Sequence, residues 1–197
     1  MTGARHALRG QTLSFKADPF AAGIDAALAH ESDGLVVIRD GLIEAVGPAA
    51  TLLPRYPGIA VERYAGDLIM AGFVDAHAHY PQTAIIASYG AQLIEWLNKY
   101  TFPAELAFGD AAHAARLSEF YLDECLRNGT TTASVYCTVH PASVEALFSA
   151  AERRGMRMLA GKVMMDRNAP AGLLDTAQTG YDQSKALIGK WHRRGRL

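Results

Sequence analysis

The chain has 197 residues, half of them hydrophobic, and a formal net charge of −1. That is enough apolar material for a sizeable core, and so near-neutral a balance gives no general attraction to nucleic acid or to an acidic membrane surface. The longest apolar runs are far too short to span a bilayer, and MTGARHALRG is not followed by a signal-type apolar segment. Two cysteines, Cys125 and Cys137, make no disulfide framework and read as buried thiols in a reducing compartment, which points to the cytoplasm.

Taken in chain order, residues 1–66 read as a small β unit. LRGQTLSF has the composition of a first strand, and GLVVIRDGLIEAVG reads as two strands joined at Asp40-Gly41, a favoured hairpin-turn pair. TLLPRYPGIA, with two prolines and a glycine, interrupts any regular element. From residue 67 the pattern changes. LIMAGFVDA is a short, nearly continuous apolar run, the mark of a strand buried on both faces. AQLIEWLNKY has helical spacing, and DAAHAARLSEFYLDECLRNG is a clearer helix closed by Asn128-Gly129. TTASVYCTV is strand-like, PASVEALFSAAERRG is a helix opened by Pro141 and closed by Gly155, MRMLAGKVMM is another strand, and a helix covers about 182–194.

Strands alternating with helices predict an α/β fold of parallel βα units over residues 67–197. The junction Arg153-Arg154-Gly155, which leads from a helix into a strand, recurs as Arg193-Arg194-Gly195 without a strand after it. A (β/α)8 barrel takes about 250 residues, so the span from Leu68 accommodates roughly three of its eight units. The expectation is an incomplete TIM-type barrel, the N-terminal part of a longer protein.

The chemistry concentrates in FVDAHAHYPQ. Residues i and i+2 of a strand share a face, so His77 and His79 project together, at the C-terminal end where barrels hold their active sites. Neutral imidazole is a common zinc ligand, and nitrogens at about 2.0–2.1 Å from one ion can come from both rings at once. Chance alone supplies roughly 0.25 such pairs in a chain of this composition, so the motif gains weight from the apolar strand before it and the break after it. The alternative is a pair of partly exposed histidines at a strand end. His140 follows a strand and could face the same mouth, but it is not counted as a ligand. Asp75 shares strand parity with the pair and suits either ligand support or a structural hydrogen bond. No phosphate-binding glycine loop, G-x-S-x-G elbow, or H-x-E with P-C-x-x-C signature is present.

The G-F-V-D-x-H-x-H core resembles the first barrel strand of the amidohydrolase superfamily. Its continuation, YPQT with ASYGAQLIEWLNKYTFPAE, is similar to the guanine deaminases within it, as are LRNGTTTASVYCTVH and GKVMMDRN. The resemblance implies a barrel flanked by a β-sandwich, one zinc, and hydrolysis of guanine to xanthine and ammonia in purine catabolism. By that resemblance His77 and His79 are zinc ligands, Gln82 contacts the purine with His79 beside it, and the full-length form is a homodimer. The catalytic acid and base and the remaining ligands are expected beyond Leu197, so these residues alone are expected to be inactive and aggregation-prone. Trp96 reads as helix core or an oligomer contact, ahead of a wall of the purine pocket, Glu95 as a structural hydrogen-bonding partner, and Lys162 as no metal bridge. Two other readings stay open: an amidohydrolase for another amino- or chloro-substituted heterocycle, and a non-catalytic remnant.

Overall fold

In the computed structural model, which describes residues 4–90 and 92–195, β1 (Arg5–Phe15) is the hub of a four-stranded sheet. It pairs antiparallel with β2 (Leu28–Arg39) and parallel with β4 (Ala60–Met70), while β3 (Leu42–Pro48) flanks β2. The β2–β3 turn is at Asp40-Gly41 as expected, with φ of 52° and 75°. Both values are positive, as the hairpin turn matched to strand twist requires, and glycine meets that demand without strain. Ala7, Leu35 and Val37 are fully buried, and Ala49 and Leu52 of the helical turn Ala49–Leu52 close this small core.

The chain divides into Met1–Ala71 and Gly72–Leu197. In the second unit β5 (Phe73–His79), β6 (Thr130–Tyr136) and β7 (Arg157–Gly161) form a parallel sheet in that order, the α/β organisation expected of barrel units. Between β5 and β6 run α1 (Leu93–Trp96), a π-helical segment Leu97–Thr101, α2 (Phe102–Leu106) and α3 (Ala111–Arg127). Helix α4 (Pro141–Arg154) connects β6 to β7, and α5 (Ala177–Trp191) follows β7. The boundaries have local causes. Asp110 caps α3 by accepting from the Ala112 N–H at 2.8 Å, Pro141 opens α4, and Gly155 ends it with φ of 65°. Thr176 and Thr179 form a reciprocal capping box on α5. Leu122, Val144, Leu147, Val135 and Met158 pack between the helices and the sheet.

Five expectations are corrected. LIMAGFVDA is two strands: Leu68, Ile69 and Met70 pair with β1, and β5 starts afresh at Phe73. A β-carbon on Gly72 would lie 2.3 Å from Thr131 Oγ1, so the break sits where only glycine fits. Nor is β5 buried on both faces: neighbouring strand residues point to opposite faces, and Phe73 and Val74 are 55% and 68% exposed. Cys125 is only partly buried, whereas Cys137 is fully buried and its thiol pKa is pushed up by desolvation. MRMLAGKVMM is strand only through Gly161, and the last helix begins at Ala177 and ends at Trp191.

Candidate metal and purine site

The end of β5 is held from below by a residue that sequence reasoning passed over. Tyr80, immediately after the histidine pair, is fully buried and donates its O–H to the Ser143 carbonyl at 2.6 Å in the first turn of α4. Its ring meets Phe108 edge-on, with centroids 5.2 Å apart. Burial pushes the phenol pKa up, so it stays a donor. Pro81 then starts the 3₁₀ segment Tyr80–Ile85, and Thr83 Oγ1 donates back to the Tyr80 carbonyl at 2.6 Å. This fastened turn sets where Gln82 stands.

His77 and His79 project side by side, as strand parity requires, with ring centroids 5.1 Å apart. Two imidazoles sharing one ion at the usual Zn–N length and a near-tetrahedral angle have centroids about 5 Å apart, so the donor pair fits a zinc ion. The His79 pKa is lowered, first by burial and then by the neighbouring His77, which favours the neutral form that ligation needs. Asp75 accepts the His77 backbone N–H at 3.0 Å, the structural use of that carboxylate. Tyr136, opposite His79 in the β5–β6 register, stacks on its ring with centroids 4.8 Å apart and planes at 12°. Its place one strand over at the same level as His79 is the signal that could have found it. Among the described residues no group of three or more His, Cys, Asp or Glu side chains forms a metal cage.

A cleft of about 720 Å³ runs along the open edge of β5 and is lined by His77, His79, Gln82, Trp96 and Tyr121 among others. Its size is that of a small-molecule site. Trp96 therefore faces the cleft, a correction to its reading as core, and its Nε1–H donates to the Ser88 carbonyl at 3.1 Å. Glu95 is exposed in the first turn of α1. His140 does not line this cleft. It stands at the N-terminus of α4, with its Nε2 buried and without a hydrogen-bond partner among the described residues. Its pKa is lowered by burial and by the Lys162 ammonium. Lys162 is itself buried, ion-paired with Asp175 and bonded to the Val163 carbonyl at 3.2 Å.

A parallel βα sheet with two imidazoles at the C-terminal end of its first strand agrees with what comparison with known families shows. The chain belongs to the amidohydrolase family, whose model matches residues 68–195. A short stretch, residues 36–58, matches the imidazolonepropionase-like composite domain of bacteria. The particular proteins it is similar to are guanine deaminases. It is 53% identical over 175 residues to guanine deaminase of Escherichia coli (strain K12), an alignment covering 88% of this chain and 40% of that protein. The crystal structure of guanine deaminase from Bradyrhizobium japonicum superposes with a TM-score of 0.93 at 37% identity, covering 98% of this chain and 42% of the other. That of guanine deaminase from C. acetobutylicum, with guanine bound in its active site, gives a TM-score of 0.84 at 26% identity and coverage of 96% and 43%. The chain thus spans less than half the length of these relatives.

Proposed function

We propose that the protein carrying these residues is a zinc-dependent guanine deaminase, hydrolysing guanine to xanthine and ammonia in purine catabolism. The observation that carries the reading is the pair His77 and His79, at metal-sharing separation on one cleft wall with Gln82, in a chain 53% identical to a guanine deaminase over 175 residues. When bound, zinc supplies Lewis-acid polarisation and makes water acidic enough to react at neutral pH. His77 and His79 would hold it. Gln82, whose amide has both a donor and an acceptor, would read the purine edge with His79 beside it. Tyr136 limits rotation of the His79 ring by stacking, and the Trp96 indole closes one side of the cleft.

The expected setting is a cytoplasmic homodimer. No helix among the described residues is long and apolar enough to cross a membrane. With two imidazole donors and no third donor grouped with them among the described residues, the 197 residues by themselves are expected to hold zinc weakly and to release no ammonia from guanine. Their apolar surface, such as Val74 at 68% exposure, and the unpaired edges of β5 and β7 are expected to make them aggregate.

The test is substrate profiling of the whole protein that carries these residues, comparing guanine with adenine and with amino- and chloro-substituted triazines. Guanine as the best substrate, with xanthine and ammonia formed in equal amounts, is the expected result. A higher kcat/KM for another heterocycle would contradict the reading.

A further inference from the structure

The ring of Tyr136 touches both imidazoles of the histidine pair, not His79 alone. It stacks on His79 with centroids 4.8 Å apart and planes at 12°, and it meets His77 at 5.2 Å with planes at 55°. The two imidazoles are 5.1 Å apart with planes at 60°, so the three ring centres form a nearly equilateral triangle. Tyr136 is held there by its backbone. Its strand, β6, lies between β5 and β7, and Tyr136 pairs with His79 on one side and Gly161 on the other. Ala133 and Val135 of the same strand are buried in the core. Tyr136 does not line the cleft that holds Gln82, so its influence on that site passes through the imidazoles.

Ring planes decide where a metal ion can sit. The lone pair of an imidazole nitrogen lies in the plane of its ring, so an ion shared by two histidines lies near the line where their planes cross. The torsion that turns an imidazole is broad, and without a neighbour that line wanders. The face of Tyr136 fixes the His79 plane, and its tilted contact with His77 limits the other. A half-turn of the His79 ring keeps the plane, so the stack leaves the choice of nitrogen to other contacts. Ligation also makes an imidazole electron-poor, and an aromatic face attracts an electron-poor ring more than a neutral one. We infer that Tyr136 is a positioning residue for the metal: its aromatic face sets the planes of both imidazoles before the ion arrives and favours their metal-bound state. This inference rests on the reading of His77 and His79 as metal ligands and extends it to a residue that acts through them.

The test is the zinc affinity of the whole protein, stripped with a chelator and titrated against a chromophoric competitor, with Tm recorded for each variant. Tyr136→Leu is expected to weaken zinc binding on the order of tenfold, the usual cost of losing a residue that orients a ligating histidine. Tyr136→Phe keeps the aromatic face and drops only the hydroxyl, and it is expected to bind zinc as the wild type does. Tyr136 is 47% exposed, so neither change empties the core and Tm should move little. Unchanged affinity in Tyr136→Leu, or a loss in Tyr136→Phe as large as in Tyr136→Leu, would overturn the inference. NMR of the metal-free wild type supplies a readout that needs no variant. The His79 ring protons should be shifted upfield by the ring current of Tyr136, and unshifted protons would sink the inference even if Tyr136→Leu failed to fold. Guanine turnover enters neither measurement. If zinc affinity depends on Tyr136 as expected but guanine is left unchanged, the proposed substrate falls while the positioning role stands. If guanine is deaminated but zinc affinity ignores Tyr136→Leu, the positioning role alone falls.

Discussion

The two units handle polar groups in opposite ways. In the N-terminal sheet the charges lie at the surface and in cross-strand pairs: Arg5 with Glu44 at 2.8 Å, and Arg9 with Asp33 at 2.6 Å. Beneath them the core is small and mainly apolar, with Thr12 a buried polar side chain of the sheet. The second unit buries more, and it also buries groups that a purely structural domain would avoid. Among the described residues Glu105 has no cation paired with it, and Thr101 Oγ1 and His140 Nε2 have no hydrogen-bond partner. Groups like these lower stability, and folds tolerate them where a site requires them. The difference marks the first unit as scaffold and the second as the carrier of chemistry.

The largest expected effect falls on the scaffold. Leu35→Ala removes a fully buried side chain from the small core and should cost about 2–5 kcal/mol by chemical denaturation, with guanine KM unchanged. A KM change comparable to that of a cleft variant would break the division of labour. Tyr80→Phe should cost about 0.5–1.5 kcal/mol, the net worth of the hydrogen bond it removes, because the Ser143 carbonyl keeps its place in the α4 helix. Since this bond fastens the end of β5, metal affinity should fall as well. A stability loss with unchanged metal affinity would show that the strand end is held by packing alone.

Glu105→Gln should have the smallest effect, and its sign is informative. The carboxyl pKa is raised in the folded state, first by burial, so the folded protein binds this proton more tightly than the unfolded chain does. Its contribution is fully present below the unfolded pKa and is lost as pH rises through the folded pKa. The neutral glutamine should therefore raise Tm at pH 7 relative to wild type, and the advantage should shrink toward pH 4. A lower Tm at pH 7 would mean that the acid's favourable contacts outweigh its desolvation.

Much of the fold was legible because its signals are local. Asp40-Gly41 dictates its turn, Pro141 and Gly155 bound α4, and strand parity places His77 and His79 together. What was not legible depends on partners distant in sequence. The apolar run 68–76 is continuous, and only the pairing of Leu68, Ile69 and Met70 with β1 shows that it belongs to two sheets. Trp96 has core-like helical spacing, yet the π segment after it and Pro103 near the start of α2 shape a helical run that brings the indole to the cleft. Pro103 comes just after the π segment Leu97–Thr101, inside a run that stays in the αR region through Thr101 and Phe102. Gln82 is separable from an ordinary loop residue only once the cleft it lines with His77, His79 and Trp96 is assembled.

The central claim is that the histidine pair at the end of β5 holds the metal. The most direct test is the zinc content of the whole protein by mass spectrometry, for wild type, His77→Ala and His79→Ala. The account predicts about one zinc per wild-type chain, near-background zinc in both variants, and a loss of guanine turnover greater than about 100-fold. Wild-type zinc occupancy retained in both variants would contradict it.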